Sequence, residues 1–185
     1  MKILIACEYS GKLRDRFIDQ GHEVWSCDLL EGEGKHIDRH IVDDYRTILK
    51  WFKPDMLIGH PPCTYICVSG NAHYANTQKR LDGIAFFKEM WEQDIPKICL
   101  ENPVSVVSTK VAKATQWIQP WQFGHGETKK TGLWLKGLPK LKPTNIVEGR
   151  SNRIHFMSPS PLRSKMRSET YDGIADAMAD QWSNL

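Results

Sequence analysis

Four short, strand-like segments constrain this chain most: the apolar run KILIAC (Lys2 to Cys7), the more mixed EVWSCDL (Glu23 to Leu29), and the apolar runs DMLIGH (Asp55 to His60) and KICL (Lys97 to Leu100). Continuous rather than alternating hydrophobicity over four to seven residues is the pattern of a strand covered on both faces. Between the runs lie stretches of helical spacing. Leu13, Phe17 and Ile18 share a face after Ser10-Gly11 and before Gly21, and Leu81, Ile84, Phe87 and Trp91 do so within 76–93. Around Ile41-Val42 a further short strand end precedes a helix toward Lys50. Strand and helix in alternation predict an α/β fold, a Rossmann-like, mostly parallel sheet with helices on both faces.

Beyond Glu101 the pattern loosens. It predicts a helix near Thr109 to Ile118, a strand over Gly132 to Leu135, a Pro/Ser-rich connection over 139–161, and a last helix striped by Tyr171, Ile174, Met178 and Trp182. With 185 residues, 41% of them hydrophobic, the length suits a single domain over 1–185 with a sizeable core. No apolar run approaches the roughly 18 residues that span a bilayer, and the N-terminus has no signal-peptide pattern. Five cysteines, an odd number thinly spread, argue against a secreted disulfide framework. The expectation is a cytoplasmic protein with reduced thiols and no membrane partner.

Net charge conceals an asymmetry. Residues 110–170 hold twelve Lys and Arg against three acids, a net of +9, while both flanking regions are acidic. Trp117, Trp121, Phe123, Trp134 and His155 lie in that basic stretch. Positive charge with interleaved aromatics suits a polyanion carrying stackable bases, although a solvated, loop-rich face would show the same charge.

In an open parallel sheet, ligands sit at the carboxyl ends of the strands. Polar outliers gather there. The first run ends at Glu8-Tyr9-Ser10-Gly11, a turn that permits close approach of a cofactor at a helix N-terminus. The second ends at Asp28, where a ribose-binding carboxylate belongs in nucleotide-binding sheets. Next come Asp43-Asp44, then GHPPCT (Gly59 to Thr64) and CLENPVS (Cys99 to Ser105). Pro61-Pro62 stiffen the backbone and present Cys63 on a rigid loop, where a stabilised thiolate can attack an electrophilic carbon. Glu101, leaving a buried strand, is a candidate for a raised pKa and for sharing a proton with a ring nitrogen. Taken separately, each residue has a bland alternative as a packed thiol or a turn cap.

Together, Cys63 in PPC, Glu101 in ENP, the opening strand-turn-helix and the acids between them resemble the carbon-5 cytosine DNA methyltransferases. The resemblance implies a class I S-adenosylmethionine (SAM) methyltransferase-like fold, with Cys63 adding to carbon 6 of cytosine and Glu101 contacting nitrogen 3. The segment FGHGETKKTGLWLKG (Phe123 to Gly137) is similar to the family's Gln-x-Arg-x-Arg region, with Glu127, Lys129 and Thr131 at the three positions; Lys129 keeps a cation for the site. Carried over, Ser10 and Gly11 would line the methionine end of SAM, Asp28 its ribose and Asp44 its adenine amine, with Glu8 and Pro61 also among the cofactor-binding residues. Asn102 would touch substrate. The family's first strand usually carries an acid where Leu4 stands, and Glu8 replaces a glycine.

Where that family inserts a target-recognition domain, this chain has a short loop over 139–163, as in a compact, phage-like form. Arg150, Arg153, His155 and Lys142 are its candidate phosphate contacts, and reading of bases should be weak. The implied partner is DNA, single-stranded DNA among the options because extracting a base from a duplex costs a few kcal/mol, or a nucleotide. Two other readings fit parts of the sequence. His60, Cys63, Cys67 and His73 fall within fourteen residues, but their spacing is not that of a standard zinc site, so no metal is expected. A catalytically inactive nucleic-acid-binding or decoy protein on the same fold would explain the altered first turn, but not the joint retention of Cys63 and Glu101.

Overall fold

The computed structural model describes residues 1–154, 156–158, 160 and 163–185. Five parallel strands, β1 (Lys2–Ala6), β2 (Glu23–Asp28), β3 (His40–Val42), β4 (Met56–Gly59) and β5 (Lys97–Pro103), are joined by β6 (Gln116–Ile118) and β7 (Thr131–Lys136) in one sheet. Its order is β3-β2-β1-β4-β5-β7-β6, with β7 antiparallel to both β5 and β6. The chain is thus an α/β protein with a mostly parallel sheet, as its apolar runs predict.

Side-chain alternation divides the core into two layers. Ile3, Ile5, Met56, Ile58 and Cys99 face one side, against Leu13 and Phe17 of α1 (Lys12–Asp19) and Ile174, Met178 and Trp182 of α7 (Asp172–Trp182). Leu4, Ala6, Leu57, Ile98 and Leu100 face the other. They meet Tyr45 and Ile48 of α2 (Tyr45–Leu49), Phe87 and Met90 of α4 (Gln78–Trp91), and Val107 of α5 (Val107–Lys110). Many of these side chains are fully buried, each worth about 1.5–3 kcal/mol relative to exposure. The short helices α3 (Asn71–Tyr74) and α6 (Arg163–Ser168) complete the order. No described helix is long and apolar enough to cross a membrane.

Three expectations are corrected. The helix expected near Thr109 to Ile118 is α5 followed by strand β6, because Gln116, Trp117 and Ile118 pair with Leu133, Gly132 and Thr131. Ladder pairing along β7 outweighs a weak helical pattern in three residues. The strand beginning with KICL runs on to Pro103, since Glu101 and Asn102 still pair with Leu133 and Gly132. On α4 the stripe is displaced: Leu81 is 60% exposed, whereas Arg80, Phe87 and Met90 are buried.

Candidate active site at the ends of β4 and β5

Register places the site. Ala6 pairs with Gly59 and Gly59 with Leu100, so the next residues on β4 and β5 are His60 and Glu101, side by side. His60 stands two residues after Ile58 and Glu101 two after Cys99, both on the α1/α7 side. Two-residue periodicity therefore turns both side chains the same way. His60 Nδ1 lies 3.4 Å from Glu101 Oε2, with side chains only 12% and 11% exposed. Thr170 Oγ1 donates to the same oxygen at 3.4 Å.

Electrostatics correct the raised pKa expected for Glu101. Burial pushes its pKa up, but the His60 hydrogen bond and charge, with Lys129 and Thr170, outweigh it and hold the carboxyl below its ordinary value. His60 moves oppositely: burial lowers it, while Glu101 and Glu8 more than compensate and raise it, with Lys129 opposing them. Each partner thus favours the charged form of the other.

Cys63 follows Pro61-Pro62 on the loop after β4, half-buried. Burial and the neighbouring Cys67 push its thiol up, while Lys129 and Arg167 pull it down. The resting thiol is protonated, and the two cations are what would favour its thiolate. Lys129, just before β7, donates from Nζ to the Glu169 carbonyl at 3.1 Å and lies 5.7 Å from the centre of the Tyr171 ring. Its charge pulls down both the Cys63 thiol and the Glu101 carboxyl.

The Cys63 loop is braced from two sides. Asn102 Nδ2, buried, donates to the Pro61 carbonyl at 2.8 Å, leaving Asn102 Oδ1 without a partner among the described residues. Buried Arg80 of α4 donates to the carbonyls of Tyr65 at 2.8 Å and Cys67 at 3.4 Å, and to Asn71 Oδ1 at 2.7 Å. The loop's backbone oxygens are thereby satisfied by a guanidinium fork. Sequence reasoning missed Arg80, and of His60 it gave only a possible zinc ligand or a site-lining residue, missing the bond to Glu101. For Arg80 the only signal was a charge among apolar residues; for His60 it was a titratable group immediately before PPC.

The ends of β1 and β2 form the other half of the sheet's carboxyl edge. Cys7 adopts φ 58, a left-handed conformation uncommon outside glycine, as β1 enters the first turn. Its thiol is driven far up by burial, then by Cys27, Asp28 and Asp44; that of Cys27 is pushed up to about 12, chiefly by burial. Both are packed thiols, and none of the five cysteines forms a disulfide. Glu8 is buried; its Oε1 accepts from Leu13 N at 2.9 Å and Ser10 Oγ at 3.1 Å, while Oε2 is buried without a partner among the described residues. Asp28 is half-buried, with Oδ1 accepting from Leu30 N at 3.0 Å. Asp44 caps α2 through Arg46 N at 2.9 Å and pairs with the Arg46 guanidinium at 3.0 Å. Gly11, at φ 73, faces protein: a Cβ there would meet Arg14 Nη2 at 2.2 Å and the Glu33 carbonyl oxygen at 2.4 Å.

The basic loop residues engage their own surroundings. Arg150 stacks 4.0 Å above Trp121 and donates to the carbonyls of Val147 and Gly149; Arg153 pairs with Glu127 at 2.7 Å. Tyr171 donates to Glu127 as well. The Lys142 amide bonds Gln181 Oε1 at 2.8 Å, on the α7 side. His155 lies outside the described residues. Of the four possible zinc ligands, His60 is turned to Glu101 and Cys67 to Ser69 and the Val104 carbonyl. Among the described residues, no three His, Cys, Asp or Glu side chains are grouped to hold a metal ion.

A seven-stranded 3-2-1-4-5-7-6 sheet with β7 reversed, and polar groups massed at its carboxyl edge, defines the structural class. Two solved structures share the fold. One is a DNA modification methyltransferase encoded within a prophage of E. coli, with TM-score 0.51 and 13% identity, the match covering 86% of this chain and 55% of that one. The other is the methyltransferase EhMeth of Entamoeba histolytica, with TM-score 0.52 and 13% identity, covering 86% of this chain and 60% of that one. At such identity the likeness is one of fold, and this chain spans a little over half the length of either. No family model and no curated protein matches the sequence.

Proposed function

We propose that the protein transfers a methyl or related one-carbon group from SAM to carbon 5 of cytosine in DNA, with Cys63 as the nucleophile. The observation that supports this reading is the pairing of His60 with Glu101 across the β4–β5 register, three residues before Cys63, with the Lys129 charge acting on both Cys63 and Glu101. Lys129 and Arg167 oppose the burial that keeps the Cys63 thiol protonated, and a thiol so placed can serve as nucleophile once ionised, with Glu101 as the partner of a ring nitrogen. The fold neighbours, a prophage DNA modification methyltransferase and a second methyltransferase, agree with it.

The residues at the ends of β1 and β2 fit SAM. Buried, unpartnered Glu8 Oε2 answers an ammonium group, and half-buried Asp28 has one oxygen accepting from Leu30 N and the other for ribose hydroxyls. Glu8, Ser10, Asp28 and Asp44 would hold the cofactor, which supplies an electrophilic methyl group. On the substrate side, Cys63 adds to carbon 6, Lys129 favours its thiolate, and Glu101 holds nitrogen 3 so that carbon 5 becomes nucleophilic. Asn102 and Arg80 keep the Cys63 loop still while this happens. The chain has only the 139–163 segment in place of a recognition domain, so we assign it loose sequence preference.

Mass spectrometry of nucleosides, after incubation with SAM and DNA, tests the reading. It predicts 5-methylcytosine with the wild-type protein and none with Cys63→Ala. Absence of any modified nucleoside from single- and double-stranded DNA would overturn it. One observation favours a second reading, a binding protein without turnover: the open side of Gly11 is filled by Arg14 and Glu33. That reading predicts tight DNA binding with no SAM affinity by calorimetry.

A further inference from the structure

His60 has no role in the chemistry so far, yet it is among the most constrained polar side chains at the sheet's carboxyl edge. One ring nitrogen sits 3.4 Å from Glu101 Oε2. The other, Nε2, is buried without a hydrogen-bond partner among the described residues. Its backbone is pinned by His60 N donating to the Ala6 carbonyl at 3.0 Å. The charged groups acting on it come from three elements: Glu101 on β5, Glu8 in the turn after β1, and Lys129 before β7. Burying an imidazole with one nitrogen unsatisfied costs stability, and the opposing carboxylate at short range offsets that cost.

We propose that His60 is a positioning residue for Glu101: its imidazolium aims the carboxylate toward the substrate and stores the proton that Glu101 relays to nitrogen 3 of the pyrimidine. The proposal rests on the cytosine-transfer reading and deepens it. The step balances. A Cys63 thiolate, its proton already released to water, forms the sulfur–carbon 6 bond, and the carbon 5–carbon 6 π pair is displaced through carbon 4 toward nitrogen 3. Nitrogen 3 takes the proton that leaves His60 Nδ1 by way of the Glu101 carboxylate. Thiolate and imidazolium are consumed together, and the net charge is unchanged. When carbon 5 has taken its methyl group, the proton returns from nitrogen 3 to His60 by the same route; water then takes the carbon 5 proton, and the electron pair left behind re-forms the carbon 5–carbon 6 double bond as the carbon 6–sulfur bond breaks and Cys63 leaves as thiolate.

Two measurements test this. The first is an NMR titration of the histidine rings in the free protein, with His60 assigned by the resonance lost in His60→Gln. The proposal predicts a His60 midpoint above the ordinary value of 6.5 and a marked fall in Glu101→Gln, with a smaller fall in Glu8→Gln if Glu101→Gln proves unstable. A midpoint at or below 6.5, or one indifferent to both substitutions, overturns the proposal whether or not turnover exists. The second is the pH profile of kcat/KM for methyl transfer. The wild type should give a bell whose two limbs are set jointly by the His60 and Cys63 ionisations; His60→Gln should be at least tenfold slower at neutral pH and lose the falling high-pH limb, while retaining SAM affinity. Parallel profiles overturn the proposal. A wild type that titrates as expected but transfers no methyl group overturns the function reading instead.

Discussion

The two halves of the sheet's carboxyl edge spend their charged groups differently. At the ends of β1, β2 and β3, carboxylates are tied to local backbone: Glu8 to Leu13 N, Asp28 to Leu30 N, Asp44 to Arg46 N. At the ends of β4 and β5 the acid is tied across strands, Glu101 to His60 and Thr170. A buried arginine underlies each half. Arg14 bonds Ser26 Oγ at 3.1 Å and the Glu33 carbonyl at 2.5 Å, fastening the loop after β2 over the first turn; Arg80 fastens the Cys63 loop. Local ties preserve a shape, whereas cross-strand ties set an ionisation state. The comparison teaches that the β4/β5 half is where chemistry depends on the global fold.

The largest effect that would break this contrast is on turnover. Glu101→Gln should lower kcat by about 10²–10⁴, with SAM affinity by calorimetry within a few-fold of wild type. Equal loss of SAM affinity would show that the two halves are one unit. Next in size are the two arginines. Arg14→Ala and Arg80→Ala should each lower unfolding free energy by about 2–4 kcal/mol, since each strands buried carbonyls. Only Arg80→Ala should, in addition, slow the reaction under conditions where both proteins remain folded; equal slowing by Arg14→Ala would erase the distinction. Smaller again, Asp28→Ala should weaken SAM about tenfold without altering the pH profile, and unchanged affinity removes Asp28 from the cofactor site.

The smallest effect is on stability against pH. Glu101 is held below its ordinary 4.5, so its contribution is complete above that pH and is lost as pH falls through the lowered value. His60 is raised above 6.5, so its contribution is complete below that pH and is lost as pH rises through the raised value. The pair therefore stabilises fully between 4.5 and 6.5, by about 1 kcal/mol. Thermal melts of wild type against His60→Gln/Glu101→Gln should differ most in that window. A difference that does not vary with pH would contradict the ion pair.

Much of the fold was legible because buried parallel strands leave continuous apolar runs. Lys2 to Cys7 and Asp55 to His60 each overshoot their strand by a residue or two at most. Strand β6 was not legible, because three residues with Trp117 partly exposed carry too little periodicity to oppose a helical reading. Cys63, Glu101 and Lys129 were found by motif. The ionisation of Glu101 was not, because its partner sits 41 residues earlier and becomes a neighbour only through the β4–β5 register. The closure of Gly11 by Arg14 and Glu33 was hidden for the same reason: a loop after β2 folds back over a turn after β1. Gly173 is a similar case, its bare Cα admitting the Phe123 carbonyl where a Cβ would lie 1.9 Å away.

The central claim is that Cys63 becomes covalently bound to a pyrimidine. It is tested most directly with DNA containing 5-fluorocytosine, in which loss of the carbon 5 substituent is blocked and an enzyme that adds through sulfur stays attached. With SAM present, wild-type protein should yield a denaturation-resistant protein–DNA adduct whose tryptic map places the link on Cys63, and Cys63→Ser should yield none. A wild type that binds this DNA but forms no adduct, or an adduct that persists in Cys63→Ser, would contradict the account.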